Sequence, residues 1–80
     1  MPTKNAKPAG PRCYLTRIPL DRDGYTRGRY ARYYGVGAPL FRLEDGDGEP
    51  IPGFSHELRA ADREAVVRMV RAQHPGAKFR

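Results

Sequence analysis

Nine glycines and eight prolines are spread through these eighty residues and cut the chain into short pieces. Long regular elements are therefore excluded almost everywhere, because glycine raises the entropic cost of order and proline removes a backbone donor. Arg63 to Gln73 contains neither residue and is long enough for three helical turns. Asp62 offers a side-chain acceptor at the N-cap position, and His74-Pro75-Gly76 stops the helix at its other end. Val66, Met69, Val70 and Gln73 fall along one face, flanked by Ala65, while Glu64 and Arg68 stand four apart on the opposite side with Arg71 nearby. The spacing predicts an amphipathic helix laid on a sheet.

The candidate strands are short. Arg12 to Leu20 alternates, with Cys13, Leu15 and Arg17 on one side and Tyr14, Thr16 and Ile18 on the other, and Pro19 ends it or marks an edge. Leu40 to Glu44 is a second strand, followed by a turn at Asp45-Gly46-Asp47-Gly48. Pro50 and Pro52 confine the returning arm to an edge or delay it to about Gly53, after which Phe54, His56 and Leu58 alternate with Ser55, Glu57 and Arg59. Ala77 to Arg80 is expected to return as a short last strand with Phe79 closing the core edge. Arg29 to Tyr34 has the length of another extended piece, yet neither of its sides is apolar, so residues 21–39 are expected to be mostly a long ordered loop.

The expected fold is α+β: a small antiparallel sheet of two to four strands packed against one C-terminal amphipathic helix, in two layers. Its core would be thin, drawn from Leu15, Ile18, Leu20, Val36, Leu40, Phe41, Leu43, Ile51, Phe54, Leu58, Val66, Val67, Met69, Val70 and Phe79. Residues 12–80 form the single domain. Residues 1–11, with three prolines, two lysines and a glycine, are expected to be a flexible basic tail.

A net charge of +6 predicts attraction to polyanions. The charge is unevenly placed: six arginines stand against two aspartates over residues 12–34, seven acids against three arginines over residues 41–64, and no acid falls within residues 65–80. That division suggests a basic face and an acidic one. Cys13 is the single cysteine, so the chain can form no internal disulfide, and a cytoplasmic site is expected. No run approaches the roughly 18 apolar residues of a membrane span, and the N-terminus lacks the apolar stretch of a secretory signal.

Four of the five tyrosines lie between Gly24 and Gly37, interleaved with Arg27, Arg29 and Arg32 and with no acid among them. A tyrosine ring offers a stacking surface with a polar tip, and a guanidinium offers five donors to phosphate or carboxylate oxygens. These are the devices that hold single-stranded nucleic acid, and the same residue types anchor protein interfaces. Arg17, Tyr25, Arg27, Arg29, Tyr30, Arg32, Tyr33 and Tyr34 are accordingly the candidate partner-binding residues.

Other motifs point to structure. Gly35-Val36-Gly37 has the flavour of a phosphate-cradling loop, but Pro39 stands where its helix would start, and a tight turn explains it better. The alternating acids from Asp45 to Glu49 lack the distal glutamate of a calcium loop. Ser55 and His56, adjacent on an extended segment, point to opposite faces and cannot act as nucleophile and base. His74 is expected to meet the free carbonyls of the helix end. No catalytic, metal or cofactor-binding set emerges, and no enzymatic activity is expected.

The segments Ile18-Pro19-Leu20, Gly24-Tyr25, Arg29 to Arg42, Arg59 to Ala65 and His74 to Phe79 resemble a small family carried by phages and plasmids of high-GC bacteria. The resemblance spans about residues 13–80 and carries no assigned chemistry, so it transfers no site residue. This chain departs from the family's usual pattern, which has a tryptophan near Tyr34. In size, lack of catalytic residues and charge, the chain is also similar to anti-CRISPR proteins, which implies a monomeric inhibitor that binds a type I (Cascade-type) CRISPR effector complex or its nucleic-acid channel and blocks target DNA. A sheet of three strands backed by a helix resembles the DNA-binding domains of phage integrases, which implies direct binding to DNA or RNA. Neither resemblance implies a membrane partner.

Overall fold

A computed structural model describes residues 10–80 of the chain. Strand β1 (Arg12–Ile18) pairs antiparallel with β2 (Leu40–Glu44), placing Leu15 opposite Leu43 and Arg17 opposite Phe41. β2 then pairs antiparallel with β3 (Glu57–Arg59), placing Phe41 opposite Leu58. Because side chains alternate along a strand, Cys13, Leu15, Phe41, Leu43 and Leu58 share one face of the sheet. Helix α1 (Arg63–Gln73) covers that face, and Val66 and Val70 join the same buried cluster. The expected α+β, two-layer architecture is the observed one.

The helix has the bounds that its sequence predicts. Asp62, in extended backbone conformation, accepts a hydrogen bond from the Ala65 amide at 2.8 Å, and the His74 amide donates to the Val70 carbonyl at 2.7 Å. Glu64 in the first turn and Arg71 in the last oppose the helix dipole favourably. Its buried ridge is narrower than expected. Val66 and Val70 are fully buried with Ala65 and Val67 partly so, whereas Met69 is 41% exposed. A sheet this small covers one ridge of the helix, and Gln73 beside it remains exposed. Among the described residues Arg42–Glu57 is an ion pair and His56 Nε2 lies 3.7 Å from Glu44 Oε1, whereas Glu64 and Arg68 do not form theirs.

The last strand, β4 (Lys78–Phe79), runs parallel to β1, with Arg12 opposite Lys78 and Cys13 opposite Phe79. The sheet is therefore mixed rather than antiparallel, in the order β3-β2-β1-β4. The helix makes this possible as a crossover connection, carrying the chain from the β3 edge of the sheet to the β1 edge so that β4 starts from the same end as β3. β4 consequently runs the same way as β3, which, like β1, is antiparallel to β2. Arg63 secures the seam by donating to the carbonyls of Leu15 and Arg80 at 3.0 and 3.3 Å. Gly10 and Pro11, grouped with the tail on sequence, belong to this edge: the Lys78 amide donates to Pro11, and a side chain at Gly10 would collide with the backbone of Gly76. The rest of the expected tail lies outside the described residues.

Between β2 and β3 the chain turns at Asp45–Glu49, where one carboxylate oxygen of Asp45 accepts from the amides of Asp47 and Glu49 at 2.8 and 2.9 Å. That aspartate is committed to the turn. Ladder pairing resumes only at Glu57, after Pro50 and Pro52, which have no amide to donate, and a second turn in which the Phe54 amide donates to the Ile51 carbonyl at 2.9 Å; Ile51 itself is fully buried in the core. His74 meets a different carbonyl from those expected, with its Nε2 lying 2.8 Å from the Pro52 carbonyl oxygen. Val36, expected in the core, is 74% exposed, and small residues contribute in its stead: Cys13, Ala60 and Ala77. Burial pushes the Cys13 thiol up from its ordinary pKa, with Asp45 adding to the shift and Arg71 opposing it.

Leu43 is fully buried between sheet and helix. Leu43→Ala should lower the unfolding free energy by about 2–5 kcal/mol, seen as a lower urea midpoint with an unchanged slope. A thiol whose folded pKa is raised favours the folded state below the unfolded pKa, and that preference is lost as pH rises through the folded value. Cys13 should therefore react with alkylating reagents much more slowly in the native protein than in denaturant at pH 8, and Cys13→Ala should reduce the loss of stability at alkaline pH.

Candidate functional site

The loop between β1 and β2 has almost no apolar residues to bury, so its order rests on hydrogen bonds. Asp21 starts it: one carboxylate oxygen accepts from the amides of Asp23 and Tyr25 at 2.9 and 3.0 Å, and the Gly24 amide donates to its carbonyl at 3.1 Å. Gly24 is buried at φ 89°, and a Cβ there would stand 2.5 Å from the carbonyl carbon of Gly35. Only glycine fits. The two legs of the loop meet at this point, with the Tyr34 amide donating to the Gly24 carbonyl at 2.8 Å.

Beyond the crossing the chain forms a small hairpin. Tyr25 and Tyr33 face each other in an antiparallel bridge, the Thr26 amide donates to the Arg32 carbonyl at 2.9 Å, and the Arg32 amide donates to the Thr26 hydroxyl at 2.8 Å. The tip, residues 27–31, reaches into solvent around Gly28 at φ 101°. Instead of an extended piece over Arg29 to Tyr34, Tyr33 alone of those residues joins a bridge, since neither side of the segment has a surface to bury.

The returning leg is fastened to the sheet by Arg59 on β3. Its guanidinium donates to three carbonyls: Ala38 at 2.6 Å, Tyr34 at 2.6 Å and Gly35 at 2.7 Å. Gly35-Val36-Gly37 therefore presents carbonyls to a cation of its own chain, the reverse of a phosphate-cradling loop. Beside it the Tyr34 hydroxyl donates to Glu57 Oε2 at 3.1 Å, and Arg42 donates to the same oxygen at 3.2 Å. Leu40 lies opposite Arg59 in the ladder and Arg42 opposite Glu57, all on the face turned away from the core. The loop thus occupies the sheet face opposite α1.

The hairpin displays most of the expected contact residues. Tyr30 is 82% exposed, Tyr33 64% and Tyr25 44%, and the Tyr25 and Tyr33 rings lean together with centroids 4.9 Å apart. Arg27, Arg29 and Arg32 are exposed and form no salt bridge among the described residues. The Arg32 guanidinium lies 5.5 Å from the Tyr34 ring centroid. Tyr34 itself is half-buried and serves as an anchor. Arg17 stands apart from this group, lining an open cleft at the base of the loop with Arg22, Asp21, Arg59 and the segment 35–40. Sequence reasoning missed Arg59 and Glu57 as the fasteners, because nothing in a strand alternation says which loop its polar face will meet.

The cleft holds about 180 Å³, less than the roughly 300–1,000 Å³ of sites that enclose whole small molecules. Among the described residues no three His, Cys, Asp or Glu side chains group closely enough to hold a metal, and no helix is long and apolar enough to cross a membrane. No protein-family model, no curated protein and no solved structure matches the chain significantly.

Arg59→Ala should leave three carbonyls without their donor and lower stability by about 2 kcal/mol. Its larger effect should be local, with hydrogen exchange at the Thr26, Arg32 and Tyr34 amides accelerating more than exchange in α1. Equal acceleration in both would mean that Arg59 holds the whole fold rather than the loop.

Proposed function

We propose that this protein is a non-enzymatic binding module for single-stranded nucleic acid, and that the tyrosine–arginine hairpin is its contact surface. One observation carries this reading. Three exposed rings, Tyr25, Tyr30 and Tyr33, share a hairpin with three exposed arginines that have no carboxylate partner among the described residues. Bases stack on aromatic faces whatever their sequence, and unpaired guanidinium groups attract the phosphates between them. The fixed hairpin backbone lowers the ordering cost that a flexible tyrosine-rich segment would incur on binding. The net charge of +6 adds long-range attraction.

An inhibitor of a CRISPR effector, as implied by the resemblance to anti-CRISPR proteins, would use the same surface against guide RNA or a nucleic-acid channel. Titration of labelled single-stranded DNA and RNA, followed by anisotropy and repeated against a loaded type I effector, separates the two. Direct binding should be tighter than about 10⁻⁴ M at physiological salt and should weaken steeply as salt rises. Weaker binding to both oligonucleotides, with or without capture by the effector, overturns the direct-binding reading. Tyr30→Ala and Tyr33→Ala should each cost about 1–3 kcal/mol of binding if a base stacks on that ring, with little change in thermal stability. Arg27→Gln with Arg29→Gln should weaken binding and flatten its salt dependence.

A further inference from the structure

The outer edge of β3 carries backbone groups that nothing among the described residues pairs. The Leu43 amide donates to the His56 carbonyl at 2.9 Å, and the Ala60 amide donates to the Pro39 carbonyl at 3.0 Å. Successive residues of a strand turn their backbone groups to opposite sides, so those of His56, Leu58 and Ala60 face β2 and those of Glu57 and Arg59 face outward. Neither the Glu57 nor the Arg59 amide donates to an acceptor among the described residues. β3 ends the sheet on this side, and the flanking Ser55, His56, Ala61 and Asp62 are exposed. An unpaired edge of this kind is a template for a further strand.

The side chains decide which strand fits. Glu57-Leu58-Arg59 is complementary to itself when run antiparallel: Glu57 falls opposite the partner's Arg59, Arg59 opposite the partner's Glu57, and Leu58 opposite the partner's Leu58 on a two-fold axis. In that register the outward amides and carbonyls of one copy meet those of the other, and none is left over. Opposite charges side by side across a strand pair are favourable. Arg59 has no carboxylate of its own chain within salt-bridge distance among the described residues, and Glu57 accepts its two bonds on Oε2, leaving Oε1 without a donor there. On the helix side Leu58 is half-buried against the core, and its own copy would cover it in the closer, non-hydrogen-bonded position.

We propose that the protein self-associates through β3, joining two four-stranded sheets edge to edge about a two-fold axis through Leu58. A second copy fits better than an unrelated strand, because the register that uses every outward backbone group also sets opposite charges together and leaves only an apolar residue on the axis. The axis stands perpendicular to the sheet, so both helices lie on one face and both tyrosine–arginine hairpins on the other. Three paired residues a side bury less than the roughly 1,200 Å² of a standard interface, so the association is weak and reversible. It replaces the monomer implied by the likeness to anti-CRISPR proteins, and it does not depend on nucleic-acid binding.

Sedimentation velocity of the full-length protein, from micromolar to millimolar concentration, should show a monomer passing reversibly to a dimer. A monomer throughout overturns the proposal, and so does growth beyond two copies, since an isologous edge closes at the dimer. Amide hydrogen exchange locates the contact. Once nine-tenths of the chains are paired, the Glu57 and Arg59 amides should exchange about tenfold more slowly than in dilute solution, because only the free tenth stays open. A dimer in which those two amides remain fast overturns the β3 edge. Protection of both amides while the protein sediments as a monomer assigns the edge to a segment of its own chain and overturns the second copy. Leu58→Lys, which sets two like charges on the axis, should abolish association while the helical circular dichroism is retained, and a dimer as tight as the wild type's overturns the register. The exchange measurement uses the wild type, so it decides the edge whatever the fold of that variant.

Discussion

The guanidinium of Arg59 and the three carbonyls around it join two structures that would otherwise have little to do with each other. On one side is a conventional small domain whose stability comes from burying Leu43, Ile51, Val66 and Val70. On the other is a loop of polar, aromatic and glycine residues that cannot bury enough to order itself. A charged donor answering carbonyls from Tyr34, Gly35 and Ala38 gives that loop a fixed attachment at bond lengths of 2.6–2.7 Å. The attachment comes from β3, three residues long, so a minimal strand is retained where its polar side chains are needed.

The sheet divides its work by face. Cys13, Leu15, Phe41, Leu43 and Leu58 feed the core below the helix, whereas Leu40, Arg42, Glu57 and Arg59 point the other way and receive the loop. Leu40 is buried without belonging to the core cluster, as expected of a residue covered by the loop and not by the helix. A chain of this size has one hydrophobic layer to spend, and the second face is closed by hydrogen bonds, one ion pair and a tyrosine ring. Separation of the rings from the core leaves Tyr25, Tyr30 and Tyr33 in water, where a partner can reach them.

Much of this was legible in advance where a local rule governs. Asp62 and His74-Pro75-Gly76 bound the helix, and apolar alternation between Pro39 and the Asp-Gly turn bounds β2, so both have the expected limits. Ring exposure in the hairpin was also foreseeable, since no apolar partner stands near those tyrosines in sequence. Other features escaped. Val36 looks like a core residue until the carbonyls beside it turn inward to Arg59 and leave its side chain in solvent. Met69 satisfies the helical spacing, but the width of the sheet, which no spacing encodes, decides how much of the helix is covered. The pairing of β4 with β1 follows from where the helix delivers the chain, and two residues carry too little pattern to announce a partner.

Composition and local order in the chain thus settle which segments become strand, helix or turn, and they settle that the tyrosines and arginines of the hairpin have no core to enter. Those outcomes depend on backbone preferences and side-chain periodicity acting over a few neighbouring residues. Which polar groups meet across the fold is decided only when the sheet and loop come together. Arg59 reaches carbonyls 21 to 25 positions earlier in the chain, and Arg17 leaves the tyrosines to join Arg22 at a cleft. Contacts of that range depend on the register of the strands and the crossing of Gly24 with Gly35, quantities that exist only in the assembled molecule.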